Sequence, residues 1–291
     1  MDYVLVVSPL RSSCRYETFE TLRATNYRGC VSDTHNRQPS LPPGDLLIHA
    51  GDLTQKGSFD ELQAQLTWLA AQPHHHKVVI AGNHDLLLDA NFLEQNPWRL
   101  IEKPNASCSD LDWADLIYLH NTSTTLSFPT SNGRSLTIHG APQTPDCGAW
   151  AFQYPPIRDV WTPTIPAKTD ILVTHTPPWG HLDRNHHGVH SGCPHLLRRI
   201  HDVRPRLVLF GHIHAAHGVE DARFDHVQAL YDEILVGKAG LGACVKMAVW
   251  LGYDSLRRVS GGRSHYDHEM RVAKLVNAAV GGGDSGSQRG G

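Results

Sequence analysis

Short runs that are apolar throughout, each stopping at Gly, Asp, Asn or His, recur along this chain. The clearest lies in Lys77–Asp85 (KVVIAGNHD), where Val78-Val79-Ile80 runs into Ala81-Gly82 and then Asn83, His84 and Asp85. An unbroken apolar run, rather than strict alternation, predicts a strand buried on both faces, as in a parallel sheet. Similar runs predict strands at Gly29–Ser32, Asp45–Ala50, Asp115–Leu119, Asp170–Val173, Leu207–Phe210 and Lys274–Val280. Helical spacing falls between them. Phe59, Leu62, Leu66 and Leu69 line one face, and Ser58 with Glu61 makes a capping box at its start. Leu196, Leu197, Ile200 and Val203 make a second stripe over about 193–203, with Pro194 in the first turn and Pro205 beyond the end. Strands alternating with helices predict an α/β layered fold.

The remaining segments are less regular. Thr122–Phe128 and Arg134–His139 flank Ser131-Asn132-Gly133, a hairpin signal. Phe92–Ile101 reads as helical or irregular, and Pro142–Pro166, with six prolines, as an ordered loop. Leu235–Leu251 is apolar with two lysines and reads as a core or docking helix in preference to a membrane-surface segment. Tyr3–Val7 has the pattern of an edge strand and Tyr16–Arg23 that of a weak helix. The organisation expected is an amino-terminal extension over 1–27, one domain over 28–280 with a divergent insertion at about 220–270, and a Gly/Ser-rich tail over 281–291.

The 291 residues suffice for a sizeable core. A net charge of −3 gives no basic surplus, so no nucleic-acid partner is expected. The start, MDYVLVVSPLR, has an acidic residue before its apolar run and lacks the pattern of a signal peptide, and no apolar stretch reaches transmembrane length. Six scattered cysteines without a Cys-x-x-Cys pair read as reduced, mostly buried thiols. A cytoplasmic location is the expectation. Histidine is the outlier, with 21 copies, which makes metal binding worth testing.

The chemistry collects at the strand ends. Asp33 and His35, Asp52, Asn83 and His84, His175, and His212 and His214 each follow a predicted strand, at the edge where open α/β sheets bind ligands. Period two sets Asp33 beside His35, and His212 beside His214, on one side of the chain. Carboxylates, an amide and imidazoles suit Mn, Fe, Zn or Ni better than Ca or an all-thiolate zinc site. Seven ligands exceed one ion's needs and fit two ions that share a carboxylate. A single strand-end histidine is more often structural, but a joint set of this size is not. Asp85 is read as a hydrogen-bond partner of His84. The triplet His74-His75-His76 is expected to be solvated. Trp150 and Phe152 are expected to pack rather than stack on a base, and no residue among His181, Arg184, His186, His187 and His190 is singled out as a phosphate contact.

Five segments, SDTH (Ser32–His35), GDLT (Gly51–Thr54), GNHD (Gly82–Asp85), THTPP (Thr174–Pro178) and GHIH (Gly211–His214), resemble in order the signatures of the calcineurin-like metallophosphoesterase family. GAPQTP (Gly140–Pro145), Gly192-Cys193 and VNAAV (Val276–Val280) are most similar to its metallophosphoesterase-domain-containing (MPPED) subgroup. The resemblance implies a four-layer α/β/β/α sandwich. It implies one divalent metal ion on Asp33, His35, Asp52 and His214 and a second on Asp52, Asn83, His175 and His212, with manganese favoured. It further implies hydrolysis of a small phosphoester by a hydroxide that the two metals activate, with His84 as the acid that protonates the leaving oxygen. Phosphodiesters are favoured, with a nucleotide, and a cyclic nucleotide in particular, as one candidate. A phosphomonoesterase or protein phosphatase, and a nucleotide-binding regulator with little turnover, are the alternatives. A DNA-processing nuclease is disfavoured by the charge balance.

Overall fold

The computed structural model of the chain describes residues 29–99, 103, 106–128, 134–237, 239–259 and 272–280. The expected strand Tyr3–Val7, the helix Tyr16–Arg23, the turn Ser131–Gly133 and the tail over 281–291 lie outside the described residues. In chain order the strands are β1 (Gly29–Val31), β2 (Leu46–Ala50), β3 (His76–Ile80), β4 (Ile117–Tyr118), β5 (Thr122–Phe128), β6 (Arg134–Ala141), β7 (Thr144–Pro145), β8 (Gln153–Tyr154), β9 (Ile171–Thr174), β10 (Leu207–Phe210), β11 (Gly218–Arg223) and β12 (Val272–Asn277). The α-helices are α1 (Phe59–Ala70), α2 (Ala90–Gln95), α3 (Pro194–Val203), α4 (His226–Leu235) and α5 (Leu241–Val259).

β1 to β4 form a parallel sheet in sequence order. A six-stranded sheet runs β11-β12-β10-β9-β6-β5. Its four inner strands are parallel, and β11 and β5 run antiparallel at its edges. The sheets pack face to face over a core that includes Ile48, Val78, Ile80, Ile138, Val173, Leu209 and Val276. The opposite pleat faces bury against helices. Leu47 and Val79 pack on Leu62, Leu66 and Leu69 of α1, and Leu172 and Val208 pack on Leu196 and Ile200 of α3. This is the expected α/β/β/α order. It explains why the strands read as unbroken apolar runs: each is covered on both sides.

Local signals hold where they are chemically explicit. Ser58 and Glu61 cap α1 reciprocally. Pro194 opens α3, and Cys193 caps it by accepting from the Leu196 amide. β5 and β6 pair antiparallel as a hairpin requires. Three differences have physical causes. The last strand ends at Asn277, and the chain then crosses to the smaller sheet, where Ser32 donates to the Ala278 carbonyl and accepts from the Val280 amide (both 2.9 Å). Gly218–Arg223 pairs with β12 along its whole length, so the sheet takes in the start of the stretch expected as an insertion. The apolar stretch 235–251 is not one helix: α4 ends at Leu235, the chain turns at Gly237 (φ +74°), and α5 starts only at Leu241. α5 is no core helix either: Leu241, Val245, Val249 and Leu256 are well exposed.

His74 is buried and its Nε2 bonds the Pro42 carbonyl (3.0 Å), so one of the three adjacent histidines is structural rather than solvated. Among the described residues Cys30 and Cys193 are buried, Cys108 and Cys244 half-buried and Cys147 exposed, all free thiols; fewer of these are buried than the expectation of mostly buried thiols had it. No helix among the described residues is long and apolar enough to cross a membrane.

Candidate metal centre

Five strand ends deliver the site. The loops after β1 and β2 are laced together: the Asp33, His35 and Asn36 amides donate to the carbonyls of Gly51, Asp52 and Leu53 (2.9, 3.1 and 2.9 Å). Asp33, His35, Asp52 and His212 have φ of 57°, 45°, 53° and 66°. The expectation that extended period-two backbone aligns Asp33 with His35 is therefore wrong. Left-handed turns aim these side chains, a conformation that costs a non-glycine residue about 1–2 kcal/mol. Glycine is required beside them. Gly51 has φ +97°, and a Cβ there would stand 2.6 Å from the Ala81 carbonyl oxygen and from His175 Nδ1. A Cβ on Gly211 would fall on Asp33 Oδ2 and Ser32 Oγ.

The donor atoms converge. One atom each from Asp33, His35 and His214 lies within 4.8 Å of the others, and the same holds for Asp52, His175 and His212 and for His35, Asp52 and His84. His35 Nε2 stands 3.3 Å from His214 Nε2, and His214 Nε2 3.2 Å from Asp33 Oδ1. Asn83 Oδ1 is 3.0 Å from His175 Nε2. Asp52 faces both ways: Oδ1 is 3.4 Å from His175 Nε2, and Oδ2 is 3.8 Å from His35 Nε2. All eight residues singled out at the strand ends thus meet at one edge.

Three histidines are oriented from behind. Nδ1–H of His35 donates to the Thr54 carbonyl (3.1 Å), that of His175 to Ala50 (2.9 Å) and that of His84 to Gln55 (2.8 Å). Each ring therefore presents Nε2 to the centre, the arrangement that backbone partners impose on metal-binding imidazoles. The buried carboxylates are also held. Asp33 accepts from the His212 amide (2.9 Å), and Asp52 from the His84 amide (2.8 Å).

Burial opposes charge on Asp33, but the His214 hydrogen bond and the His175 charge hold its carboxyl down at about 2. Burial likewise opposes charge on Asp52, yet His175 keeps it well below the usual carboxylate range. The reciprocal effect of Asp52 overcomes burial of His175 and raises that imidazole to about 9. Burial lowers His212 to about 4 and lowers His35 as well. The Asp33 hydrogen bond raises His214. Two buried carboxylates beside several imidazoles are a donor set that a dication would neutralise, and neutral His35 and His212 are the imidazole form that binds metal. The donor set fits two divalent ions.

Several supporting residues were not legible beforehand. Asp85 does not bond the His84 side chain. Its carboxylate accepts from the amides of Leu53, Thr54 and Gly82 (3.2, 3.0 and 2.8 Å) and from Thr54 Oγ1 (2.7 Å), stapling the two loops; burial and the Asp52 charge push it up to about 6. Buried Asn277 donates to the carbonyls of Leu182 (3.1 Å) and Ile213 (2.9 Å), fixing the turn between His212 and His214. VNAAV held that residue in plain view, but nothing in one chain marks which loop it reaches. Phe152 is buried, and Trp150 lies on His84. In the loop after His175, His181 pairs with Glu220 (2.9 Å), His190 with Asp183 (2.5 Å) and Arg184 with the Gly188 carbonyl (2.6 Å).

A family model described as calcineurin-like phosphoesterase matches residues 16–216. The chain belongs to the calcineurin-like phosphoesterase family. Metallophosphoesterase domain-containing protein 1 of Homo sapiens is 36% identical over 206 residues, 65% of this chain and 61% of that protein. The likeness to the MPPED subgroup therefore holds. The protein of Emericella nidulans named "Probable rhamnogalacturonate lyase C" is 41% identical over 257 residues, 87% of this chain but 23% of that protein. This chain thus spans less than two thirds of the length of either relative. TT1561 of Thermus thermophilus is a solved structure 15% identical to this chain, with a TM-score of 0.42 over 68% of this chain and 84% of that one. The family that this chain belongs to is one of phosphoesterases. Such enzymes typically hold two divalent ions, and the clustered Asp and His groups are of that kind.

Proposed function

We propose that this chain hydrolyses phosphodiester bonds, with cyclic nucleotides as candidate substrates, and that it acts as a single domain over residues 28–280 in the cytoplasm. The free thiols and the membership of the family support this reading. Asp33, His35, Asp52 and His214 would hold one ion, and Asp52, Asn83, His175 and His212 would hold the other. The observation that carries the assignment is Asp52, with one oxygen toward His175 and the other toward His35. Manganese is favoured, because carboxylate, amide and imidazole donors together suit a first-row ion of intermediate hardness. When bound, two such ions would lower the pKa of a water and neutralise phosphate charge.

The protein's own residues do the rest. Asp33 and Asp52 are already held in the carboxylate form before an ion binds, Asp33 by its His214 hydrogen bond and the His175 charge and Asp52 by His175. His84 is not counted as a ligand. With Nδ1–H committed to Gln55, its Nε2 is the atom that faces the substrate and gives a proton to the leaving oxygen. A sugar alkoxide needs that proton, whereas nitrophenolate barely does.

The test is metal analysis with a substrate panel. The manganese-loaded protein should hold two ions and cleave bis-p-nitrophenyl phosphate faster than p-nitrophenyl phosphate; the reverse order points to a phosphomonoesterase. His84→Ala should keep two ions and lose about 10²–10⁴-fold on a cyclic nucleotide or another alkyl phosphodiester. It should lose far less on bis-p-nitrophenyl phosphate. Equal losses with metal intact would mean that His84 binds phosphate rather than donating a proton.

A further inference from the structure

We propose that Trp150 is a positioning residue for His84, an indole plate held by Arg99 that fixes the plane of the imidazole facing the substrate. The proposal rests on the reading of His84 as proton donor and extends it to the residue that keeps the donor in line.

The His84 and Trp150 rings stack with centroids 4.0 Å apart and planes 27° apart. The Gln55 carbonyl fixes one edge of the imidazole and His35 meets it edge-on (centroids 4.8 Å, planes 78° apart), but neither contact covers the ring's open face, which is free to tilt. The stacked indole removes that freedom. Trp150 is itself anchored. The Arg99 guanidinium lies 5.0 Å from its ring centroid, a cation–π distance, and Arg99 also donates to the Ala149 carbonyl (2.6 Å). The next residues are tied to the His84 loop: the Ala151 amide donates to the Asn83 carbonyl (3.1 Å) and the Phe152 amide to Asp89 Oδ2 (2.7 Å). The segment carrying the plate is therefore hydrogen-bonded to the segment carrying the imidazole. An indole already engaged by His84 and Arg99 is not a free platform for a substrate base.

Positioning acts through geometry, and a displacement of about 1 Å at a reacting group can cost on the order of 10²-fold. A ring in one plane presents Nε2 along one line, so losing the plate should weaken proton donation and leave metal binding alone.

Two measurements on the full chain decide it. In metal-free protein, the ring protons of His84, identified by their loss in His84→Ala, should be shifted upfield by the stacked indole. Trp150→Ala should abolish that shift, Trp150→Phe should keep part of it, and Arg99→Ala should weaken it. With manganese bound, Trp150→Ala should keep two ions and lose about tenfold or more on an alkyl phosphodiester that the wild type hydrolyses, against about twofold or less on bis-p-nitrophenyl phosphate. Trp150→Phe should restore most of the difference. The double variant with His84→Ala should be no worse than His84→Ala alone, since the plate acts only through that ring. An unshifted His84 resonance in the wild type overturns the proposal. So do equal losses on both substrates in Trp150→Ala when His84→Ala discriminates between them. If His84→Ala itself fails to discriminate, the proton-donor reading falls, and the resonance still decides whether Trp150 holds the ring. Should Trp150→Ala not fold, Arg99→Ala and Trp150→Phe carry both measurements.

Discussion

Asp52 is the residue on which most of the site depends. It accepts from the His84 amide, raises His175 and lies between the two donor groups. Asp52→Asn keeps the shape but removes the shared charge. Metal content should fall below two ions per chain and turnover by about 10²-fold or more, beyond the 10–100-fold that loss of an outer partner costs. Elemental analysis beside kinetics checks both, and two retained ions with near-normal turnover would exclude a bridging role. Asp85 makes the opposite case, because it is proposed to touch no metal. Asp85→Ala leaves three buried amides and the Thr54 hydroxyl without their acceptor. The loss should be about 3–5 kcal/mol in chemical denaturation, the range for removing one partner of a buried charged network. A loss under about 1 kcal/mol, the worth of one ordinary hydrogen bond, would mean that the loops hold without the staple.

Among the helices, α4 is joined to the loop after His175 by charge. His181 Nδ1 pairs with Glu220 (2.9 Å) and its Nε2 with Asp232 of α4 (3.7 Å). Asp232 also bonds His201 of α3 (2.7 Å) and Gln228 (2.7 Å). Burial opposes the His181 charge, but Asp232 and Glu220 raise it to about 9. Burial also opposes the Asp232 charge, and His181 and His201 hold it at about 2. A histidine raised in the fold stabilises in full below its ordinary 6.5 and loses that contribution as pH climbs through 9. An aspartate lowered in the fold stabilises above its ordinary 3.8 and loses the contribution as pH falls through 2. α4 should therefore be held best between about pH 4 and 6.5 and loosen toward pH 9. Hydrogen exchange of α4 amides, corrected for intrinsic rates, should show protection falling between pH 6 and 9.5 in the wild type and low at both in His181→Ala. Exchange that ignores pH would exclude the charge link.

The two sheets meet at the candidate metal centre. Asp33, His35, Asp52, Asn83 and His84 follow strands of the smaller sheet, and His175, His212 and His214 follow strands of the larger. Ions bound there would cross-link the layers. Chelation should lower the thermal midpoint, and added manganese should restore it in proportion to ln(1 + [M]/Kd) for each site. At a hundredfold excess over Kd one site is worth about 2.7 kcal/mol. Ile138→Ala serves as a control. It opens a cavity between the sheets and should cost about 2–5 kcal/mol whether or not metal is present. A midpoint that ignores metal would leave the two-ion assignment without support.

The layered fold and the eight strand-end residues were legible because both are local signals. A strand buried on both faces must read as an apolar run, and a polar residue at its end stands out against it. Ser58 with Glu61, and Pro194, mark helix starts for the same reason: the signal lies within the first turn itself. What one chain could not show depends on distant partners. Asp85 serves Leu53 and Thr54 rather than its neighbour His84, and Asn277 reaches Leu182 and Ile213. His74 is buried by Pro42, whereas α5 keeps apolar residues exposed. A place in a run of three histidines points to solvent for His74, and the apolar run leaves α5 open as a core or a docking helix. The left-handed turns at Asp33, His35, Asp52 and His212 belong to the same class. Residue type does not announce such strain; loops laced to one another impose it.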